Sequence, residues 1–529
     1  MKTKCFTSVL SLGFRRLPFH EVVPGNRVVS SAVKGVFFSL LLLAGTAIFT
    51  AVVSQTTFGP QQIIIEPEAK GVTEVYAADL DNDGDMDVLS ALGYRTSEGN
   101  IAWYENDGSG NFGQQQVITL DAGGGAESVF AADLDSDGGM DALSASWNFN
   151  TSEGKIAWYK NDGSGNFGPQ QTIALAAYFA HSVFAADLDN DGDMDVLSAS
   201  TDYTTIDSKI AWYENDGNGN FGSQQIITTA VEHILTGFAA DLDNDGDVDL
   251  LSASNGYNTF DSKIVWHEND GNGNFAAEQV ITLDAFGSQV VYAADLNNDG
   301  NLDVVSASHD TNFVSKIVWY ENEGNGSFGA QQVVLSSVET ISLTPLQVHA
   351  ADLDNDGDQD LLSASFEAFG GIEKVAWYEN EGNGNFGTQQ ILVDPVCCLF
   401  GPPFVVTADL ENDGDLDVLW SSGFDNKIAW FENEGSGDFG TENIITAISD
   451  DAYDVYAADL DNDGDQDVLS ASGGGVNVAW YKNNGSGNFG PQQAITTDAG
   501  TIYDVFAADL DNDGDQDVLS ASYYDNKIV

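Results

Sequence analysis

Nine tandem copies of one unit, four short strand patterns in each copy and no helical apolar period across the repeats predict an all-β fold, a β-propeller of four-stranded blades. The copies are marked by AADLDNDGDMDVLSAS and its variants, with first aspartates at Asp79, Asp133, Asp187, Asp241, Asp295, Asp352, Asp409, Asp459 and Asp509. Successive spacings are 54, 54, 54, 54, 57, 57, 50 and 50 residues, which is the period of one supersecondary unit.

Within the first unit, VYAADL (75 to 80) and DVLSAL (87 to 92) flank an acidic loop. NIAWYEN (100 to 106) is the third strand, and after the turn DGSGNFG comes QQQVIT (114 to 119). In the third strand Ile101 and Trp103 face one way while Ala102 and Tyr104 face the other, so each sheet is apolar on both faces and is expected to sit between neighbours. The tryptophan recurs as Trp103, Trp158, Trp212, Trp266, Trp319, Trp377, Trp430 and Trp480, which marks it as core rather than a sugar-stacking platform. The ninth copy runs to Val529, just before that tryptophan would come. FGPQQIII (58 to 65) has the pattern of the end of a unit, so it is expected to complete the last blade and close a ring. Nine units exceed the usual four to eight blades, and the pattern leaves open a ring of seven, eight or nine.

Residues 1–54 read as a separate leader. They hold Lys2, Lys4, Arg15, Arg16, Arg27 and Lys34 against Glu21 alone, followed by the uncharged apolar run VFFSLLLLAGTAIFTAVV from Val36 to Val53. A basic stretch before such a run is the pattern of a signal peptide, with Ser54/Gln55 as a cleavage point, or of an N-terminal membrane anchor. Both place residues 55–529 outside the cytoplasm, secreted or at the cell surface, and the only membrane contact expected is through the leader if it stays uncleaved. Three cysteines, with Cys5 in the leader and Cys397 and Cys398 adjacent, exclude a disulfide framework.

The chain carries 83 acidic and 17 basic residues, a formal net charge of −66, and residues 55–529 carry −71. That sign excludes nucleic-acid binding by phosphate neutralisation, and 42% hydrophobic residues exclude general disorder. The charge concentrates in the acidic loops. The first is Asp79-Leu80-Asp81-Asn82-Asp83-Gly84-Asp85-Met86-Asp87, with acids at positions 1, 3, 5 and 9, glycine at 6 for the sharp turn, and a backbone carbonyl at 7. Hard oxygen donors at this spacing match the first nine positions of an EF-hand loop, without its helices and with Ser90 at position 12 in place of the bidentate Glu. The expected cation is therefore Ca²⁺, up to nine ions. At positions 1, 3, 5, 7 and 9 the other loops supply Asp133, Asp135, Asp137, Gly139 and Asp141; Asp187, Asp189, Asp191, Asp193 and Asp195; Asp241, Asp243, Asp245, Asp247 and Asp249. They continue with Asp295, Asn297, Asp299, Asn301 and Asp303; Asp352, Asp354, Asp356, Asp358 and Asp360; Asp409, Glu411, Asp413, Asp415 and Asp417. The last two are Asp459, Asp461, Asp463, Asp465 and Asp467, and Asp509, Asp511, Asp513, Asp515 and Asp517. Asn297 and Glu411 keep an oxygen donor at position 3, and Gly139 and Asn301 stand where only the carbonyl is needed. These loops account for 42 of the 83 acids, and nine Ca²⁺ would bring −71 to −53.

With the DxDxDGxxD loop and the NFG turn in place, the units from 58 to 529 resemble FG-GAP repeats, also called VCBS-type repeats, the blade unit of the integrin α-subunit propeller and of many secreted bacterial proteins. The resemblance implies a calcium-stabilised propeller used for adhesion or for binding a ligand, an extracellular glycan or protein. FGPQQ matches the fuller integrin pattern only loosely, so an integrin-like ligand site is not implied.

No catalytic constellation emerges. His181, His233, His267, His309 and His349 are scattered through the repeats, and no phosphate loop, HExxH or nucleophile motif is present, so the chain is not expected to be an enzyme. The rival readings are the propeller portion of a secreted polysaccharide-active enzyme and a structural spacer. Aromatics that break the repeat between DVLSAS and KIAW are the ligand-contact candidates: Trp147, Phe149, Tyr203, Tyr257, Phe313, Phe369, Tyr523 and Tyr524.

Overall fold

The computed structural model describes Phe6–Val9, His20–Glu21, Val29–Ser30, Ile64 and residues 72–529, apart from short stretches that include 94–98, 203–206, 256–261, 310–314, 337–343, 368–371, 398–403, 498–501, 511–513 and 523–526. The apolar run of the leader lies outside the described residues, and among the described residues no helix is long and apolar enough to cross a membrane.

The repeats fold as nine separate antiparallel sheets, one per unit, each a simple meander. The first has Val72–Ala78, Asp87–Leu92, Asn100–Tyr104 and Gln116–Thr119. Its strands thus fall within a few residues of the expected ones, and the outer strand is two residues shorter at its start. Eight sheets have four repeat strands, the fourth gaining Phe6–Val9 beside His233–Ala240; the ninth shows three, Ile502–Ala508, Asp517–Ser522 and Lys527–Ile528. The outer strand of each of the first seven units carries an exposed apolar residue, such as Val117, Ile226 or Ile444.

Among the described residues no strand pairing joins one sheet of the repeats to the next; the joints are face to face. Leu89, Ala91, Ile101 and Trp103 of the first sheet form one core with Val129, Ala142 and Tyr159 of the second, and Tyr104 points the other way into a different core. The two apolar faces of the third strand are used as expected. Seven of the eight tryptophans, Trp103 to Trp430, are buried against the following sheet's turn. Trp103 meets Phe167 edge-on at 6.2 Å, and a Cβ added to Gly165 would stand 2.3 Å from its ring. Only glycine lets the turn approach so closely, and φ of +68° there also suits it. The same Trp/Phe pair recurs at the next six joints.

A hydrogen bond also crosses each of the first seven joints. The asparagine that ends the third-strand block reaches back to the position-2 leucine carbonyl of the preceding sheet's loop: Asn215 to Leu134 at 2.7 Å, Asn269 to Leu188 at 2.8 Å, Asn380 to Leu296 at 2.7 Å. In the first sheet Asn106 donates to Leu510 of the ninth at 3.0 Å, and the Met86 amide bonds the same carbonyl at 3.0 Å. Ile64 packs with Ala508, Leu510 and Leu519 of the ninth sheet and with Val88 and Tyr104 of the first. It occupies the place that Ile118 takes at the joint of the first and second sheets. The ninth sheet therefore packs against the first; apart from Ile64, the segment 58–65 expected to complete the last blade lies outside the described residues.

In the first strands the residue before AAD, three residues ahead of position 1 of the loop, is aromatic in most units and stacks from sheet to sheet, Tyr76 on Phe130 at 4.8 Å and Phe130 on Phe184 at 4.8 Å. His349 stands at this position in the sixth sheet and is buried.

Candidate metal centre

Each acidic loop joins the first and second strands of its sheet, so the nine loops share one end of the array. Two residues reverse the chain. Position 6 is glycine with φ of +103° at Gly84, as its place in the motif predicts, and position 4 is left-handed too, with φ of 60° at Asn82 and 57° at Ser136. Asparagine tolerates that region better than other side chains, which explains its recurrence there.

The turn converges the carboxylates. In the first, second and fourth loops, oxygens of positions 1, 3 and 9 (Asp79, Asp81 and Asp87; Asp133, Asp135 and Asp141; Asp241, Asp243 and Asp249) lie within 4.8 Å of one another; in the third and sixth, positions 1, 3 and 5 do so (Asp187, Asp189 and Asp191; Asp352, Asp354 and Asp356). One oxygen of Asp79 accepts the Gly84 amide at 3.2 Å, and Asp83 accepts the Asp85 amide at 3.1 Å. The other oxygens point inward: Oδ1 of Asp79, Asp81, Asp241 and Asp352 is buried with no hydrogen-bond partner. Burial, then the neighbouring Asp83, pushes Asp81 up to about 6, and burial, then Asp245, does the same to Asp243. Buried, unpaired carboxylate oxygens facing one another carry a desolvation and repulsion cost that a divalent cation removes, so the residues present fit one.

Position 9 has a second task. Asp87 accepts the amide of Leu80 at 2.8 Å and that of Asn106 at 2.8 Å, pinning the loop to the end of the third strand, and the pair repeats at Asp249 with Leu242 and Asn269. These carboxylates are fully buried, and burial holds Asp87, Asp141, Asp195, Asp249, Asp303, Asp360 and Asp467 up at about 7. Glu411, buried beside Asp417, is pushed to about 9.

Position 7 also does more than lend a carbonyl. In loops two to eight the position-4 side chain donates to the position-7 side chain of the next loop: Ser136 to Asp193 at 3.0 Å, Asn190 to Asp247 at 2.7 Å, Asn244 to Asn301 at 2.7 Å, Asn412 to Asp465 at 2.6 Å. Where position 7 is Gly139, Asn82 turns to the Gly138 carbonyl instead, at 3.3 Å. A belt of hydrogen bonds thus runs from loop to loop along this end. The sequence reading missed both the belt and the asparagine staple, although the Asn in all eight third-strand blocks was a usable signal.

The aromatic candidates fare differently. Trp147 is buried, donates to Glu127 at 2.8 Å and packs on Phe179, so it is core and not a ligand contact. Phe149, Tyr203, Tyr257, Phe313, Phe369, Tyr523 and Tyr524 lie outside the described residues. His181, His267 and His349 are buried within sheets; His181 Nε2 lies 3.4 Å from the Thr201 hydroxyl and His267 Nδ1 lies 3.2 Å from the Ala276 carbonyl.

Among solved structures, an Agrocybe aegerita lectin recognising non-reducing terminal N-acetylglucosamine is 18% identical and aligns over 70% of this chain and 94% of its own, with a TM-score of 0.38. Bacillus licheniformis rhamnogalacturonan lyase is 13% identical over 87% of this chain and 71% of its own, with a TM-score of 0.46. The Dos1 propeller is 10% identical over 66% and 77%, with a TM-score of 0.38. No curated protein sequence shows a significant match. The pattern of the FG-GAP-like repeat matches residues 79–144, 145–198, 201–252, 241–306, 295–363, 409–470 and 459–520, well over half of the chain. With its DxDxDGxxD loops each joining two strands of a four-stranded sheet, the protein belongs to the FG-GAP-like repeat family.

Proposed function

We propose that this protein is an exported, calcium-binding propeller that acts as a ligand-binding or adhesion module. The observation that carries the calcium reading is the set of buried carboxylate oxygens without partners at positions 1 and 3, converging on one point in successive loops. Positions 1, 3, 5 and 9 would supply carboxylate oxygens and position 7 a carbonyl, the hard donor set that suits Ca²⁺. Bound ions would neutralise each loop and hold its two strands in register; the chain's own residues supply the turn, the staple and the belt. Export rests on the basic leader and the apolar run of 36–53, and fits the higher calcium concentration outside cells. The binding reading rests on the regularity of the array: each unit repeats the same core, and variation collects in the segments between second and third strands.

A glycan and matrix-protein array, probed with the purified chain in calcium and in chelator, tests the reading. Calcium-dependent capture of a glycan or protein supports it. Hydrolysis of a polysaccharide without stable binding would replace it with the enzyme reading.

A further inference from the structure

Following the leader, the chain has only eleven basic residues, and two of them sit inside acidic loops. In most units the residue before the stapling asparagine is a glutamate: Glu105, Glu214, Glu268, Glu321, Glu379 and Glu432. Its carboxylate lies beside position 3 of the same unit, near enough for Glu321 to accept from Asn297 at 3.5 Å. In the second and eighth units this residue is Lys160 and Lys482.

Both lysines turn into their own loops. Lys160 Nζ forms an ion pair with Asp135 at position 3 and another, at 2.9 Å, with Asp137 at position 5. Lys482 Nζ pairs in the same way with Asp461 and, at 3.0 Å, with Asp463. The carboxylates of Asp135 and Asp461 are buried while the lysine side chains stay partly exposed, so each ammonium group reaches from the rim of its loop to an inner carboxylate. The second loop is otherwise built like the first: Asp133, Asp135 and Asp141 converge as Asp79, Asp81 and Asp87 do. Beyond Ser136 at position 4 and Gly139 at position 7, which add no ligand side chain, the amine sets it apart.

We infer that loops two and eight are closed to calcium, because Lys160 and Lys482 supply a tethered cation in its place. This rests on the reading that the other loops take calcium. Replacing glutamate by lysine changes the local charge by two units, the charge of one Ca²⁺. An ammonium bridging positions 3 and 5 takes one oxygen of each carboxylate and leaves Oδ1 of Asp135 and Asp461 buried without a partner, but an ion brought to that oxygen would meet a like charge at close range. The chain therefore takes at most seven calcium ions rather than nine. The two closed loops hold their shape without metal, one on each side of the joint between the ninth and first sheets.

Calcium counting by native mass spectrometry or equilibrium dialysis on the full chain tests this. The wild type binds no more than seven ions, and Lys160→Glu/Lys482→Glu binds two more than the wild type. Lys160→Gln and Lys482→Gln singly add one each if the glutamates disturb folding. A second readout needs no variant: acylation of Lys160 and Lys482 in the wild type stays unchanged on saturation with calcium. Nine ions on the wild type, an unchanged count in the folded variants, or acylation of these lysines that rises with calcium overturns the inference. Wild-type chain that binds no calcium at all defeats the calcium reading itself, which is a different result from binding nine.

Discussion

Replacing Asn106 by alanine tests whether the nine sheets return on themselves. Asn106 is fully buried; its Nδ2 donates to Leu510 of the ninth sheet at 3.0 Å and to Met86 at 3.2 Å, and its Oδ1 accepts from Gly108 at 3.3 Å. Its backbone amide, which holds Asp87, survives the substitution. Three bonds at about 1 kcal/mol each give a loss of about 3 kcal/mol, with burial of the orphaned carbonyls raising it further. For a chain of this size the unfolding entropy is about 1 kcal/mol/K, so the melting temperature should fall by about 3 °C. The control is Asn161→Ala, which removes the matching bonds to Leu80, Met140 and Gly163 at the joint between the first and second sheets. Differential scanning calorimetry on both should give equal losses. A normal melting curve for Asn106→Ala beside a destabilised Asn161→Ala would show that the first and ninth sheets do not meet, and would refute the ring.

Three further outcomes follow from the geometry. Gly165→Ala should cost about 3 kcal/mol because its Cβ would overlap Trp103 at an unfavourable φ, whereas Gly84→Ala, whose Cβ meets nothing within 4 Å, should cost about 1 kcal/mol from the backbone alone; thermal melts compare them. His349 is buried and burial lowers it to about 4, so its contribution is complete above the ordinary histidine value near 6.5 and is lost as pH falls from there toward 4. His349→Phe, matching Phe130 and Phe184, should recover up to about 3 kcal/mol at pH 4 relative to wild type and leave the difference at pH 8 unchanged by that term, as urea titrations at the two pH values would read. In chelator, the position-9 carboxylates held up at about 7 bind protons on folding, so their contribution is present at low pH and lost as pH rises through 7. The metal-free melting temperature should therefore rise from pH 8 to pH 6, and in calcium that rise should disappear as protons compete with the ion.

Much of this was legible from residue order. The period of the acidic motif gave nine units, the two-sided apolar pattern of Ile101 to Tyr104 gave sheets packed on both faces, and the glycine at position 6 gave the turn. Those features are local, and strands and tight turns are set by neighbours in sequence. What stayed hidden is carried between units. Asn106 and Leu510 are at opposite ends of the chain, and Asn190 meets Asp247 only because one sheet stacks on the next. Position 7 therefore read as a carbonyl alone. Trp147 was misjudged for a related reason: breaking the repeat does not expose a side chain when Glu127 and Phe179 are there to enclose it.

The central claim, that the acidic loops are calcium sites, is tested most directly by melting the purified chain in chelator and in a calcium series. With a dissociation constant of about 1 mM and about 10 mM calcium, each site adds about 1.4 kcal/mol, and seven sites add about 10 kcal/mol. At about 1 kcal/mol/K the melting temperature should rise by about 10 °C, continuing upward with the logarithm of calcium concentration. Superimposable melting curves in chelator and in calcium would contradict the account.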